Sequence, residues 1–249
     1  MEMVLPTQKT APAKLWARQK FLMIGPGGIG KSELWAEGEK TLFLELEPRL
    51  DHLAVLKVPV RSFVEAEEAV TLLYKQAQSS LPYDTIIVDT IDKLVERIHE
   101  DVIDWANDKY RKVLEKTGMS IGTIGDIPEG NGWARSTTLL NFWLDKLTQL
   151  PAATVLIGHT KTVQVKEGQT SYDKETISIG GQTGTKLLYW SDHTLHVRAK
   201  MVGDEVRRML RTIPSQTIEA KSSGGIVPDG MVWGKSAKDN YSGFRQLFD

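Results

Sequence analysis

Apolar and polar positions alternate along the chain with two periods. Phe21–Ile24 is a short unbroken apolar run, which suits a strand buried on both faces. Thr41–Leu46 alternates, with Leu42, Leu44 and Leu46 on one face and Phe43 and Glu45 on the other, and Pro48 stops it. Residues 57–60 fit a short edge strand. Phe63–Gln78 has helical spacing, with Phe63, Ala66, Val70, Leu73 and Ala77 as candidate core positions. Tyr83–Asp89 predicts another buried strand, and Asp92–Lys116 a long helix with Leu94, Ile98, Val102, Ile103 and Trp105 inward. Residues 117–134 are glycine-rich without a period and predict a loop. Ser136 is placed to cap a helix through Leu150, where Leu139, Leu140, Trp143, Leu144 and Leu147 make the inner face and Pro151 ends it. Ala152–Gly158 is a further buried strand leading to His159.

Beyond it, residues 160–185 are polar and glycine-rich and predict a long loop, the kind that is usually functional or mobile. Lys186–Trp190, His193–Ala199, Glu205–Arg211 and Thr217–Ala220 read as short strands of a meander. Residues 222–249 predict a weakly ordered tail anchored at most by Trp233, Tyr241 and Phe244, and residues 1–20 a lead segment anchored by Trp16. The core is then 21–221. Strands alternating with helices predict one α/β domain with a mainly parallel, doubly wound sheet and a C-terminal antiparallel meander.

The strongest chemical signal follows the first strand. Gly25-Pro26-Gly27-Gly28-Ile29-Gly30-Lys31-Ser32 matches G-x-x-x-x-G-K-[ST] in full. Glycines let successive backbone N–H groups turn toward phosphate oxygens, and the helix that follows offers the same anion its positive end. Lys31 is placed for the β- and γ-phosphates and the Ser32 hydroxyl for Mg²⁺. Asp89, after Ile86-Ile87-Val88, is the second metal-positioning candidate. Glu47 is the candidate base that polarises water, with Glu45 a rival two residues away. His159 is placed to sense the γ-phosphate and to pass that state into the 160–185 loop. Strand ends at Gly25, Glu47, Asp89 and His159 all fall on one sheet edge, where ligands of open α/β sheets lie.

Composition narrows the partners only a little. A net charge of −1 over 249 residues points to no general nucleic-acid affinity, so any such contact needs a local patch. Lys161, Lys166 and Lys174 in the long loop offer phosphate contacts, and Tyr172 a stacking surface. Arg198, Lys200, Arg207, Arg208 and Arg211 fall close together, a second source of cations for a nucleic acid or a neighbouring subunit's nucleotide. The absence of cysteine and of an apolar leader or long apolar run fits a cytoplasmic protein with no membrane role.

These segments together resemble RecA-type recombinases, in order and over roughly residues 20–200. The phosphate loop begins Gly-Pro as theirs does. FLELEPRLD (43–51) resembles the segment carrying their catalytic glutamate, which implies that role for Glu47. TIIVDTIDKL (85–94) is similar to their metal-binding strand and implies that role for Asp89. TVLIGHTK (154–161) resembles the strand entering their second DNA-binding loop, with His159 in place of a glutamine, and 179–200 resembles the return from it. The short chain and the GHTK form look closest to phage-encoded RecA-like single-strand annealing proteins. That resemblance implies an ATP- and Mg²⁺-dependent enzyme acting on single-stranded DNA in the host cytoplasm, assembled as a ring or short filament and working beside a single-strand-binding protein. The cation such proteins supply in trans has Lys221 as its nearest counterpart, with Arg198 a second candidate. The competing expectation is a P-loop ATPase that acts on a protein partner, as a loader or assembly factor, without touching DNA.

Overall fold

The computed structural model describes residues 15–234 and 236–248. The expected lead segment therefore lies outside the described residues as far as residue 14. In chain order the elements are β1 (Lys20–Gly25), α1 (Lys31–Ala36), β2 (Thr41–Glu45), β3 (Leu56–Pro59), α2 (Phe63–Ala77), β4 (Thr85–Asp89) and α3 (Ile91–Lys109). They continue with α4 (Arg111–Thr117), α5 (Asn131–Thr148), β5 (Ala153–Glu167), β6 (Thr170–Ile177) and α6 (Gly181–Trp190). The last are β7 (His193–Val202), β8 (Glu205–Arg211), β9 (Lys221–Ser222), β10 (Met231–Val232) and α7 (Ala237–Arg245).

The strands form one sheet in the order β10-β8-β7-β1-β5-β4-β2-β3. Its centre, from β7 through β3, is parallel. β8, β9 and β10 add antiparallel pairs at the other end. This is the expected α/β P-loop core with its C-terminal meander. The strand pleat explains why the central strands read as unbroken apolar runs. Leu22 and Ile24 of β1, with Leu42, Leu44, Ile86 and Val88, face α2, α3, α5 and α6. Phe21 and Met23, with Phe43, Ile87 and Val155, face the opposite layer, which contains Trp16, Trp35 of α1, Trp233, Phe244 and Phe248. A sheet covered on both sides needs apolar residues at both pleat positions.

Six expectations are corrected. Residues 160–185 are no structureless loop: β5 runs on past the sheet to Glu167, turns at Gly168-Gln169 and returns as β6. Gly168 has φ +62°, which lets this two-residue turn match the strand twist. Lys186–Trp190 is the end of helix α6, not a strand, and Thr217–Ala220 forms only isolated bridges, through Ile218 to Glu175 and Ser215. Residues 222–249 are not a weakly ordered tail where described. The rings of Phe244 and Phe248 meet those of Trp16 and Phe21 edge-on or tilted, with centroids 5.3–6.3 Å apart, so this segment completes the second core. Finally, α5 begins at Asn131, five residues before the expected cap, and Ser136 is buried inside it. The long 92–116 helix is interrupted at Tyr110, which separates α3 from α4.

Candidate active site

Register brings the expected chemistry together. β1 pairs Gly25 with His159 of β5, β4 pairs Asp89 with Ile157, and β2 pairs Glu45 with Asp89. The phosphate loop springs from the first of these ends. Gly28 and Gly30 have φ of +71° and +85°, a region that side chains with a β-carbon rarely enter, and Gly30 leads directly into α1. A cleft of about 320 Å³ opens over the loop, with Gly27, Gly28, Gly30, Lys31, Ser32, Glu47, Asp89 and His159 in its wall.

Lys31 is 6% exposed, and its Nζ donates to the carbonyls of Gly25 and Pro26 at 2.9 and 2.8 Å. Burial pushes its pKa down to about 8, against the pull of Asp89, Asp92 and Glu47. The ammonium is thus folded back on its own loop, where burial penalises its charge and a bound anion would offset that penalty.

The Ser32 hydroxyl donates to Asp89 Oδ2 at 2.6 Å. Burial raises the pKa of Asp89, while the Ser32 hydrogen bond and Lys31 act the other way. A hydroxyl and a carboxylate at hydrogen-bond distance, both beside the phosphate loop, suit Mg²⁺. That ion keeps water and takes substrate phosphate oxygens rather than a full protein cage. Among the described residues no cluster of three acidic or histidine groups offers such a cage. The residues fit the ion.

Glu47 lies two residues past the end of β2, where the Thr90 hydroxyl donates to its Oε1 at 3.3 Å and Arg49 Nε stands 3.1 Å from its Oε2. Its rival Glu45 is occupied elsewhere: it is buried, accepts from the Leu50 amide and pairs with Lys57. Of the two, only Glu47 lies in the wall of the cleft.

His159 stands on the opposite wall, and its backbone N–H donates to Asp92 Oδ2 at 2.9 Å while its Nδ1 lies 3.3 Å from the same oxygen. The other oxygen of Asp92 accepts from the Ser178 hydroxyl, just after β6. Asp92 also lines a groove of about 1110 Å³ between α3, α5 and the start of α6, whose wall includes Trp133, Asn141 and Lys186. One carboxylate thus ties the cleft to the base of the β5–β6 hairpin and to the groove.

The other expected contacts lie away from the cleft. Lys161, Lys166, Tyr172 and Lys174 are spread along the hairpin, with Lys174 ion-paired to Glu219 at 2.5 Å. Lys221 donates to the Leu188 carbonyl at 2.9 Å, and burial lowers its pKa. Arg198 pairs with Glu175 at 2.7 Å. Both expected cations are held by their own chain. Arg49 and Thr90 in the cleft wall, and Asp92 beside His159, are residues that the sequence pattern did not single out. The signal for the last two was local, since Thr90 and Asp92 lie one and three residues after the candidate metal residue Asp89. A family model described as AAA domain matches residues 17–223. No match was found among curated proteins.

Proposed function

The chain belongs to the AAA domain family, a P-loop ATPase domain, and from that premise we propose that it hydrolyses ATP with Mg²⁺ to drive recombination or annealing of single-stranded DNA. The phosphate loop with Lys31 holds the triphosphate, and Ser32 and Asp89 would hold Mg²⁺, whose positive charge would offset that of the phosphates. Glu47, steadied by Thr90 and Arg49, takes a proton from a water aimed at the γ-phosphorus. The water oxygen bonds to phosphorus and the bond to the bridging oxygen breaks, releasing ADP and phosphate. His159 reads the presence of the γ-phosphate.

The observation that carries the DNA reading is the Asp92 bridge. A shift of His159 toward a γ-phosphate acts on the same carboxylate that holds Ser178 at the foot of the hairpin. The hairpin offers Lys161, Lys166 and Lys174 for phosphates and Tyr172 for a base, and the half-exposed Trp133 in the adjoining groove offers a second stacking face. The order of the segments, which resembles that of RecA, supports the same reading. A ring or short filament of copies, served by a single-strand-binding protein, belongs to it as well.

Fluorescence anisotropy with a labelled single strand tests this. Binding should require the ATP-bound form and weaken steeply between 50 and 200 mM salt, as phosphate contacts do. Lys161→Ala and Lys166→Ala should each lower the salt slope by about one half to one contact. No binding at low salt with a non-hydrolysable ATP analogue would refute the DNA reading and favour a protein partner for the same ATPase.

A further inference from the structure

Two of the cations expected to meet nucleic acid, Lys174 of the hairpin and Arg198 of β7, are already paired with carboxylates. The two pairs cross between the hairpin and the body it lies on. Glu175 of β6 reaches out to Arg198 Nη2 at 2.7 Å, and Glu219 reaches back to Lys174 Nζ at 2.5 Å. Backbone bonds hold this exchange in register. The Glu175 amide donates to the Thr217 carbonyl at 2.9 Å, and the Glu219 amide to the Glu175 carbonyl at 3.2 Å. Glu175 has an anchor on its buried side as well, where Nε2 of the fully buried His196 lies 2.9 Å from its Oε2.

A carboxylate seated on an ammonium or a guanidinium occupies the place that a phosphate oxygen would take. The four side chains of the two pairs are 26–39% exposed. Pairs so open to water are weak, and a strand carrying several phosphates can displace them. Both pairs span the joint between hairpin and body, so one movement of the hairpin opens both. The joint also lies close to the phosphate cleft. Three residues on from Glu175, the Ser178 hydroxyl is held by Asp92, the carboxylate that meets His159.

We propose that Glu175 and Glu219 form an acidic lock, which keeps Lys174 and Arg198 from single-stranded DNA until the hairpin shifts in the ATP-bound form. The lock rests on the DNA reading proposed above and adds to it the reason that binding waits for the nucleotide.

Glu219→Gln is the cleanest perturbation, because it frees Lys174 and leaves the backbone bonds of residue 219 in place. Asp173→Asn is its control: it removes the same charge beside Lys174, from an exposed side chain with no ion pair among the described residues. Fluorescence anisotropy of a labelled single strand reads both, on the full chain with and without the imidodiphosphate analogue of ATP. In the nucleotide-free form Glu219→Gln should tighten binding about fivefold at 50 mM salt and steepen the salt slope by about 0.7, one added phosphate contact. Asp173→Asn should tighten it less than about twofold, as a screened charge does. With the analogue bound, Glu219→Gln and wild type should agree within about twofold, since the lock is then already open. Adding Lys174→Ala should cancel the gain of Glu219→Gln. A nucleotide-free gain no larger than that of Asp173→Asn, or one that survives Lys174→Ala, would overturn the lock, while wild-type binding with the analogue would leave the DNA reading standing. No binding by any of these proteins in either form would remove both.

Discussion

Lys31 carries a cost in the free protein that only its ligand removes. Its ammonium is 6% exposed, and burial lowers its pKa from 10.5 to about 8. At neutral pH the native chain therefore buries a charge that the unfolded chain leaves in water, a penalty of roughly 3 kcal/mol for that gap. Lys31→Met keeps the length of the side chain without the charge. It also leaves the carbonyls of Gly25 and Pro26 without their donor, which returns about 1–2 kcal/mol of the gain. The net expectation is a free protein more stable by about 1–2 kcal/mol, or roughly 2–8 °C in Tm for a chain of this size, and unable to bind the triphosphate. Thermal melts of both proteins from pH 7 to 10 measure it. Between about 8 and 10.5 the unfolded wild-type chain holds a proton at Lys31 that the native chain has lost, so wild-type stability should rise relative to the variant across that window. The two curves should converge as pH rises and then cross, because the neutral lysine keeps its bonds to the Gly25 and Pro26 carbonyls. A variant that melts lower than wild type at pH 7, with no convergence, would refute the reasoning and make the two carbonyl bonds the dominant effect.

Other consequences are as definite. His193 is fully buried against Phe21, hydrogen-bonded to Gln19 and Ser222, and burial lowers its pKa to about 4. Because the unfolded chain takes up that proton near 6.5, stability should be complete above pH 6.5 and fall by up to roughly 3 kcal/mol toward pH 4; His193→Gln should flatten that decline in urea titrations. Asp92→Asn keeps the shape of the bridge but removes its charge, so DNA stimulation of turnover should fall about tenfold while turnover without DNA stays within about threefold, as read by phosphate release.

Much of the site was legible because its parts are local. The phosphate loop is eight consecutive residues, and Asp89 and Glu47 each sit at the end of an apolar run whose burial on both faces is written in its composition. Parallel pairing then brings such ends together without further information. What was missed depended on contacts distant in sequence or on ambiguous short runs. Leu187-Leu188-Tyr189-Trp190 is a four-residue apolar stretch that fits a strand or a buried helix end equally well. The alternation in Thr162–Lys166, followed by Gly168, was a hairpin signal, obscured because Val163 and Val165 are the segment's only apolar residues and stay half-buried where the hairpin leaves the sheet. Phe244 and Phe248 are isolated aromatics in a polar segment, and their role is set by Trp16 and Phe21 at the other end of the chain. Arg208 reaches Gly30 across two strands, a proximity that no local pattern encodes.

The central claim is that this cleft hydrolyses ATP under the control of single-stranded DNA. Steady-state phosphate release from MgATP, with and without a single strand at 50 and 200 mM salt, measures it most directly. The account predicts turnover that DNA raises at low salt, that loses this stimulation at high salt, and that falls by 10²-fold or more in Glu47→Gln. Turnover indifferent to DNA at both salts, or undiminished in Glu47→Gln, would contradict it.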